Sequence, residues 1–292
     1  MLLIFGLGYS ARWIARAAEA RGLAVAGTTR DGRDGSIAFG DADRVRAALR
    51  AATHVLSSVP PEDGDPVLDA YGDGLAGKWL GYLSSTGVYG DASGAWVDEG
   101  APVRGRRANR NLADAAWLAR GARVFRLPGI YGPGRSPLER VAEGRAHRVG
   151  LPDQVFSRVH VTDLAAGVVA GLHAPAGAYN LADDLPCDQD QVVAYAAALL
   201  GRAAPPIVPL ESLSPMARAF YAENRRVANG RAKSVLGWRP RFPDYRFGLR
   251  AVSAMTRPTS ASSPPAADSV DQRYPSNTVE ISIASTGTST LE

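Results

Sequence analysis

Short apolar or β-branched runs alternate with alanine-rich, amphipathic stretches from Gly6 to about Met255. That alternation predicts repeated strand–helix units around a parallel sheet, an α/β fold. Strands are expected at Leu2 to Phe5, Ala24 to Thr28, Ser36 to Phe39, His54 to Val59, Trp79 to Ser84, Ala122 to Leu127 and Tyr179 to Leu181. Helices are expected at Ala11 to Ala20, with Trp13, Ile14 and Ala17 on one face, and at Ala42 to Ala51. Ser10 reads as the N-cap of the first helix, and Gly22 stands just past its end. The pattern stops at Arg257: 13 of the last 36 residues are Ser or Thr and four are Pro. Too little apolar surface remains there to offset chain entropy, so residues 257–292 are expected to be a disordered tail.

Composition narrows the class. With 46% apolar and 21% charged residues, the chain reads as a soluble globular protein. It has no run near the roughly 18 apolar residues of a spanning helix. MLLIFGLG at its start lacks the basic flank of a signal peptide, so no membrane partner and a cytoplasmic location are expected. A single cysteine, Cys187, excludes an internal disulfide framework and a cysteine-based zinc site. The net charge is +4, yet only Lys78 and Lys233 are lysines among 33 Lys and Arg residues. The arginines are scattered among acids and form no stripe, which argues against a nucleic-acid partner.

The first candidate chemistry is a nucleotide site. Leu2 to Ala11 reads as strand, glycine turn and helix start with G-x-G-x-x-A spacing. Gly6 permits the tight turn, Gly8 lets backbone approach a pyrophosphate, and Ala11 allows close helix–strand packing. Tyr9 and Ser10 lie at the helix start, whose N–H groups would face the phosphates. At the second strand's end stand Thr28, Thr29, Arg30 and Asp31. Arg30 suits a 2′-phosphate and so favours NADP, while Asp31, one residue on, would suit NAD. Asp41 reads equally as an adenine contact or a helix N-cap. Ser58 and Pro60, after the fourth strand, lie where the middle of a dinucleotide would pass.

Together these residues resemble an extended short-chain dehydrogenase/reductase of the NAD(P)-dependent epimerase/dehydratase family. The resemblance rests on GLGYSA from Gly6, on YLSSTGVYG from Tyr82, on RLPGIYGPGR from Arg126 and on VHVTD from Val159, and covers about residues 1–255. It implies a Rossmann-type doubly wound parallel sheet with a smaller C-terminal substrate lobe, and commonly a homodimer. The dinucleotide lobe would take 1–132 plus about 159–181, the substrate lobe about 133–158 plus 182–256. It also implies that Ser85 is the strand-end hydroxyl that orients a substrate oxygen, with the plain alternative of a serine satisfying a turn. Thr86 and Arg135 become substrate-binding candidates, and Pro128 a cofactor neighbour. The Asp-Glu pair of sugar-nucleotide dehydratases is missing, since Thr86 and Gly87 stand there.

One departure is large. The family's proton relay is a tyrosine four residues before a lysine, on the helix after that strand. From Gly90 to Ile130 this chain has neither residue type. Matching the helix places roughly Arg107 and Asn111 at the two positions, give or take a residue. Neither relays a proton at neutral pH, although Arg107 suits a developing alkoxide and Asn111 a ribose hydroxyl. Tyr89 is the remaining phenol nearby, His160 is expected to be a packed histidine with Asp163 as an N-cap, and Glu99 to fix a loop. Two functions follow: an oxidoreductase or epimerase-like enzyme with NADP (NAD being the alternative) acting on a small carbonyl, hydroxyl or sugar-like substrate, or an NADP-binding protein without turnover.

Overall fold

The computed structural model describes residues 1–256; the tail expected at 257–292 lies outside them. Seven strands form the central sheet: β1 (Leu2–Phe5), β2 (Val25–Thr29), β3 (Ile37–Ala38), β4 (His54–Ser57), β5 (Trp79–Ser85), β7 (Arg123–Leu127) and β10 (Gly177–Asn180). Their order is β10-β7-β5-β4-β1-β2-β3, and every pairing is parallel. This is the doubly wound arrangement, whose strand order reverses between β1 and β4. The continuous apolar run of β1 follows from burial on both faces, and β7 is buried from Val124 to Leu127 although it carries Arg126. Two short parallel pairs, β6 (Trp96–Val97) with β11 (Arg226–Val227) and β8 (Gly129–Tyr131) with β9 (Arg158–His160), sit outside the main sheet.

Helices α1 (Tyr9–Glu19) and α6 (Val161–Ala170) cover one face, and α2 (Ala42–Ala51), α3 (Pro66–Tyr71) and α4 (Ala108–Ala119) contribute to the core on the other. In α1 the buried stripe is Ala11, Ile14 and Ala18, one turn apart, with Trp13 and Ala17 at its margins. A separate core joins Tyr131 to α5 (Pro137–Ala142), α7 (Gln189–Leu199) and α10 (Tyr245–Thr256). Helices α8 (Pro215–Tyr221) and α9 (Gly230–Val235) complete the chain. No helix among the described residues is long and apolar enough to cross a membrane.

Two expected caps are corrected. Helix α1 begins one residue before Ser10, with Gly8 in the cap position and no side-chain cap, because the glycine turn feeds directly into the first turn. Helix α6 is capped by His160, whose ring nitrogen accepts from the Thr162 N–H; Asp163, inside the helix, instead accepts from the N–H groups of Arg241 and Phe242. Asp41 does cap α2, accepting from Arg44 N–H at 3.2 Å.

At the carboxyl end of β5 and β7 lies a buried ion pair. Arg126 grips Asp114 of α4 with Nε and Nη2 at 3.1 and 2.8 Å, and both side chains are at most 3% exposed. Ser84 donates to the same carboxylate, and Arg126 Nη1 donates to the Tyr89 hydroxyl, which in turn donates to Asn180 Oδ1. Strands β5, β7 and β10 and helix α4 are therefore joined through one network. Asp114→Ala leaves a buried guanidinium unpaired and is expected to destabilise the fold by about 3–5 kcal/mol in urea unfolding.

His160 is 3% exposed, between Tyr131 and Phe242, and burial together with Arg241 pushes its pKa down to about 4. The unfolded ring takes up its proton near pH 6.5, the folded one not until about pH 4, so stability is lost as pH falls through that window. The shift corresponds to as much as about 3 kcal/mol. Buried Asp163 and Asp183, held above the usual carboxylate range mainly by desolvation, act with the opposite sign, losing stability as pH rises. His160→Asn keeps an acceptor for the Thr162 N–H, and its unfolding free energy is expected to fall less than the parent's between pH 6.5 and 4.

Candidate active site

The first element of the site is the turn after β1. Gly6 has φ +83°, a left-handed conformation that glycine enters without a Cβ penalty. Its N–H donates to Thr28 Oγ1 at 3.2 Å and its carbonyl accepts from Ser58 Oγ at 3.0 Å, so β2 and the β4 turn hold it from both sides. The space where Gly8 would carry a side chain is open, α1 has no acid in its first turn, and no side chain caps it. The N–H groups of Tyr9, Ser10 and Ala11 thus end in a cradle that suits an anion.

Around this cradle the other candidates divide. Strand β2 ends at Thr29, whose buried hydroxyl bonds to Ser36 and Asp31, so Thr29 is part of the loop's own framework. Arg30 is exposed and has no ion pair or hydrogen bond among the described residues. Asp31 is engaged with Thr29 and lies 3.8 Å from Arg33. Pro60 is exposed in the turn after β4. Asp41 has its carboxylate on α2 and 3.9 Å from Arg44, which leaves it the capping reading. Tyr9 links the cradle to the rest of the site: its hydroxyl donates to the Pro133 carbonyl at 3.0 Å and its ring lies under the Arg135 guanidinium. Burial, opposed by Arg135, pushes the Tyr9 phenol up to about 12.

A cleft of about 1080 Å³ opens beside Ser85. Ser85, Thr86 and Gly87 from the end of β5 form one side, with Pro128 beside them. The Ser85 hydroxyl accepts from Gly87 N–H at 3.1 Å, which fixes the rotamer and leaves its own proton to donate. Arg106, Arg107 and Arg110, at and before the start of α4, line another side. Arg107 is exposed and unpaired among the described residues; Arg110 donates to the Tyr82 hydroxyl at 2.9 Å. Arg135 and Arg140 face the same space from around α5, and Phe220, Tyr221, Glu223 and Arg225 from the α8 side.

Two candidates are moved away from the cleft. Tyr89 is 2% exposed, with its hydroxyl held between Arg126 and Asn180, and burial raises its pKa. It is a core strut and does not face the substrate space, so it drops out as a catalytic residue. Asn111 donates its amide N–H to the Gly105 carbonyl at 2.7 Å, while its buried Oδ1 has no partner. It does not line the cleft. Glu99 accepts from Asn180 N–H at 2.7 Å and so fixes the loop after β6. Among the described residues no cluster of His, Cys, Asp or Glu could hold a metal.

Sequence reading missed the α8 side altogether. Glu223 accepts from Arg106 Nε at 2.7 Å and from Arg225 Nη1 at 2.7 Å; burial would raise its pKa, and these two bonds hold it below the usual range. Phe220 stacks on Phe156 at 4.5 Å yet is 53% exposed in the cleft. The one sequence signal was the adjacent Arg225 and Arg226 in a stretch without any motif.

No family model matches the chain. It is 28% identical over 242 residues to a 3-diazoavenalumate denitrifying reductase of Streptomyces, covering 77% of this chain and 72% of that protein. A functionally unknown conserved protein from Silicibacter pomeroyi is 42% identical, with a TM-score of 0.81 over 87% of this chain and 98% of that one. The human epimerase family protein SDR39U1, solved with NADPH, is 19% identical, with a TM-score of 0.69 over 87% and 99% of the two chains. The chain belongs to one family with the Silicibacter protein, and its fold is that of the extended short-chain dehydrogenase/reductases of the NAD(P)-dependent epimerase/dehydratase type.

Proposed function

We propose that the protein is an NAD(P)-dependent oxidoreductase that prefers NADP and acts on a small carbonyl or hydroxyl compound, sugar-like molecules included. The observation that carries this reading is the pairing of an uncapped helix start behind Gly6 and Gly8 with a donor hydroxyl, Ser85, at the same carboxyl edge of the sheet. The residues fit a dinucleotide: the N–H groups of residues 9–11 for the pyrophosphate, Gly8 open above it, and an unpaired Arg30 for a 2′-phosphate. Asp31 is already bonded to Thr29, which supports NADP over NAD. The group supplies hydride transfer when bound.

Ser85 then orients the substrate oxygen by donating to it, while its own oxygen stays fixed by Gly87 N–H. Charge developing on that oxygen is met by cations that line the cleft at the start of α4, Arg107 and Arg110. A guanidinium hands on no proton, so the proton comes from water in the cleft. A homodimer, common in this fold, and a cytoplasmic location complete the proposal.

A second reading is favoured by one observation: neither Tyr89, locked in the core, nor Asn111, bonded to Gly105, lines the cleft beside Ser85. In that reading the protein binds NADP without turnover. Calorimetry with NADPH and NADH, followed by absorbance of the reduced cofactor over a panel of aldehydes, ketones and nucleotide sugars, separates the two. The enzyme reading expects NADPH binding and consumption with at least one class; binding with no consumption across the panel supports the second, and failure to bind either dinucleotide overturns both.

Two substitutions sharpen this. Arg30→Ala is expected to weaken NADPH by about 1.5–3 kcal/mol and NADH hardly at all, as for loss of one charged hydrogen bond; equal losses would refute its role. Ser85→Ala should leave NADPH affinity unchanged and lower kcat by about 10²-fold or more.

A further inference from the structure

We infer that the substrate is a 2-oxo acid, or the matching 2-hydroxy acid, with a planar apolar body, and that Arg225 binds its carboxylate; this rests on the oxidoreductase reading above. Arg225 comes from the far side of the cleft, immediately before β11, and its backbone is pinned on both flanks. Arg226 N–H donates to the Ala95 carbonyl at 2.9 Å, and Asn224 N–H to Asp91 Oδ1 at 2.7 Å. The side chain is only 15% exposed. Nη1 donates to the Gly90 carbonyl at 2.8 Å and to Glu223 Oε2 at 2.7 Å. Nη2 has no protein partner among the described residues, and Nε is buried without one.

The unpaired arm lies near the Ser85 hydroxyl. A methyl group placed on Gly87 would lie 3.2 Å from Ser85 Oγ and 3.9 Å from Arg225 Nη2, so both atoms face the gap that the missing side chain leaves. A carbonyl oxygen on Ser85 and a carboxylate on Arg225 are therefore neighbours, which fits the two functions on adjacent carbons. Nε is buried without an acceptor and Nη2 has no protein partner among the described residues; a carboxylate gives the guanidinium a charge-assisted bond. Glu223 is shared by Arg106 and Arg225, so the corner keeps one uncompensated positive charge. One carboxylate neutralises that charge. Phe220, exposed on the cleft wall and stacked on Phe156, offers a plate for the apolar body.

In the reducing direction the carbonyl carbon accepts hydride from the reduced dinucleotide, which leaves oxidised, and the carbonyl oxygen takes a proton from water through Ser85. The carboxylate is unchanged throughout.

The test compares phenylpyruvate with phenylacetone, which lacks the carboxylate, by calorimetry on the full chain with and without NADPH. Phenylpyruvate is expected to bind about tenfold or more tightly than phenylacetone. Arg225→Ala should erase that margin, Arg225→Lys should restore part of it, and both should bind NADPH as the parent does. Gly87→Ala, which fills the gap without removing charge, should weaken phenylpyruvate by about tenfold and decides the matter if Arg225→Ala does not fold. Equal affinities for the two compounds, no binding of phenylpyruvate, or a margin that survives Arg225→Ala in a folded protein overturns the inference. The cofactor-free titration reads carboxylate binding apart from NADPH binding, and failure of the latter removes the oxidoreductase reading alone.

Discussion

The contact on which this architecture depends is the buried pair of Arg126 and Asp114. Its two charges lie where β5, β7 and α4 meet, and each remaining donor or acceptor of the network is assigned to a different element. Burying two charges is favourable only when the geometry is good and other hydrogen bonds complete it. Here Ser84, Tyr89, Asn180 and the Glu99 carbonyl do so. The residue after Ser84 is Ser85, so the register that satisfies the ion pair also fixes the hydroxyl at the cleft. Tyr89, a reactive phenol by composition, is taken up by this requirement and is thereby withdrawn from chemistry.

Arginine fills two unlike roles around that centre. Arg126 and Arg158 are almost fully buried and tied to several partners each. Arg107, Arg135 and Arg140 face open space in the cleft. A guanidinium does not titrate, so a cleft built this way holds its positive charge at every pH at which the fold survives. A lysine in the same place would allow the charge itself to be tuned by its surroundings. A guanidinium can meet charge that develops in the cleft, but it hands on no proton.

The sheet was legible because its strands are short apolar or β-branched stretches separated by alanine-rich helices, and the glycine turn because Gly6 adopts a left-handed φ that glycine enters without a Cβ penalty. Ser85 and Arg135 were legible from their places in the motifs, and both line the cleft. Boundaries slipped where a side chain chose between two jobs: His160 took the cap that Asp163 had been assigned, because Asp163 was needed by the backbone at residues 241–242. Asn111 was misplaced relative to the cleft because a one-residue rotation along a helix turns a side chain by about 100°. Arg225 and Glu223 were invisible because their meaning comes from a tertiary pairing of β11 with β6, far earlier in the chain, and not from any local pattern.

That pairing is also one of the two shortest ladders among the described residues. The β6–β11 ladder has only two residue pairs, whereas β5 and β7 share five. Amide protection at the cleft's far wall is therefore expected to be governed by a small opening unit that detaches while the sheet stays closed. On that expectation the half of the site that carries Ser85 exchanges with the sheet, and the half that carries Glu223 and Arg225 with the shorter ladder. Substrate that bridges the two would act as a clasp, converting a local equilibrium of the fold into part of its own binding free energy.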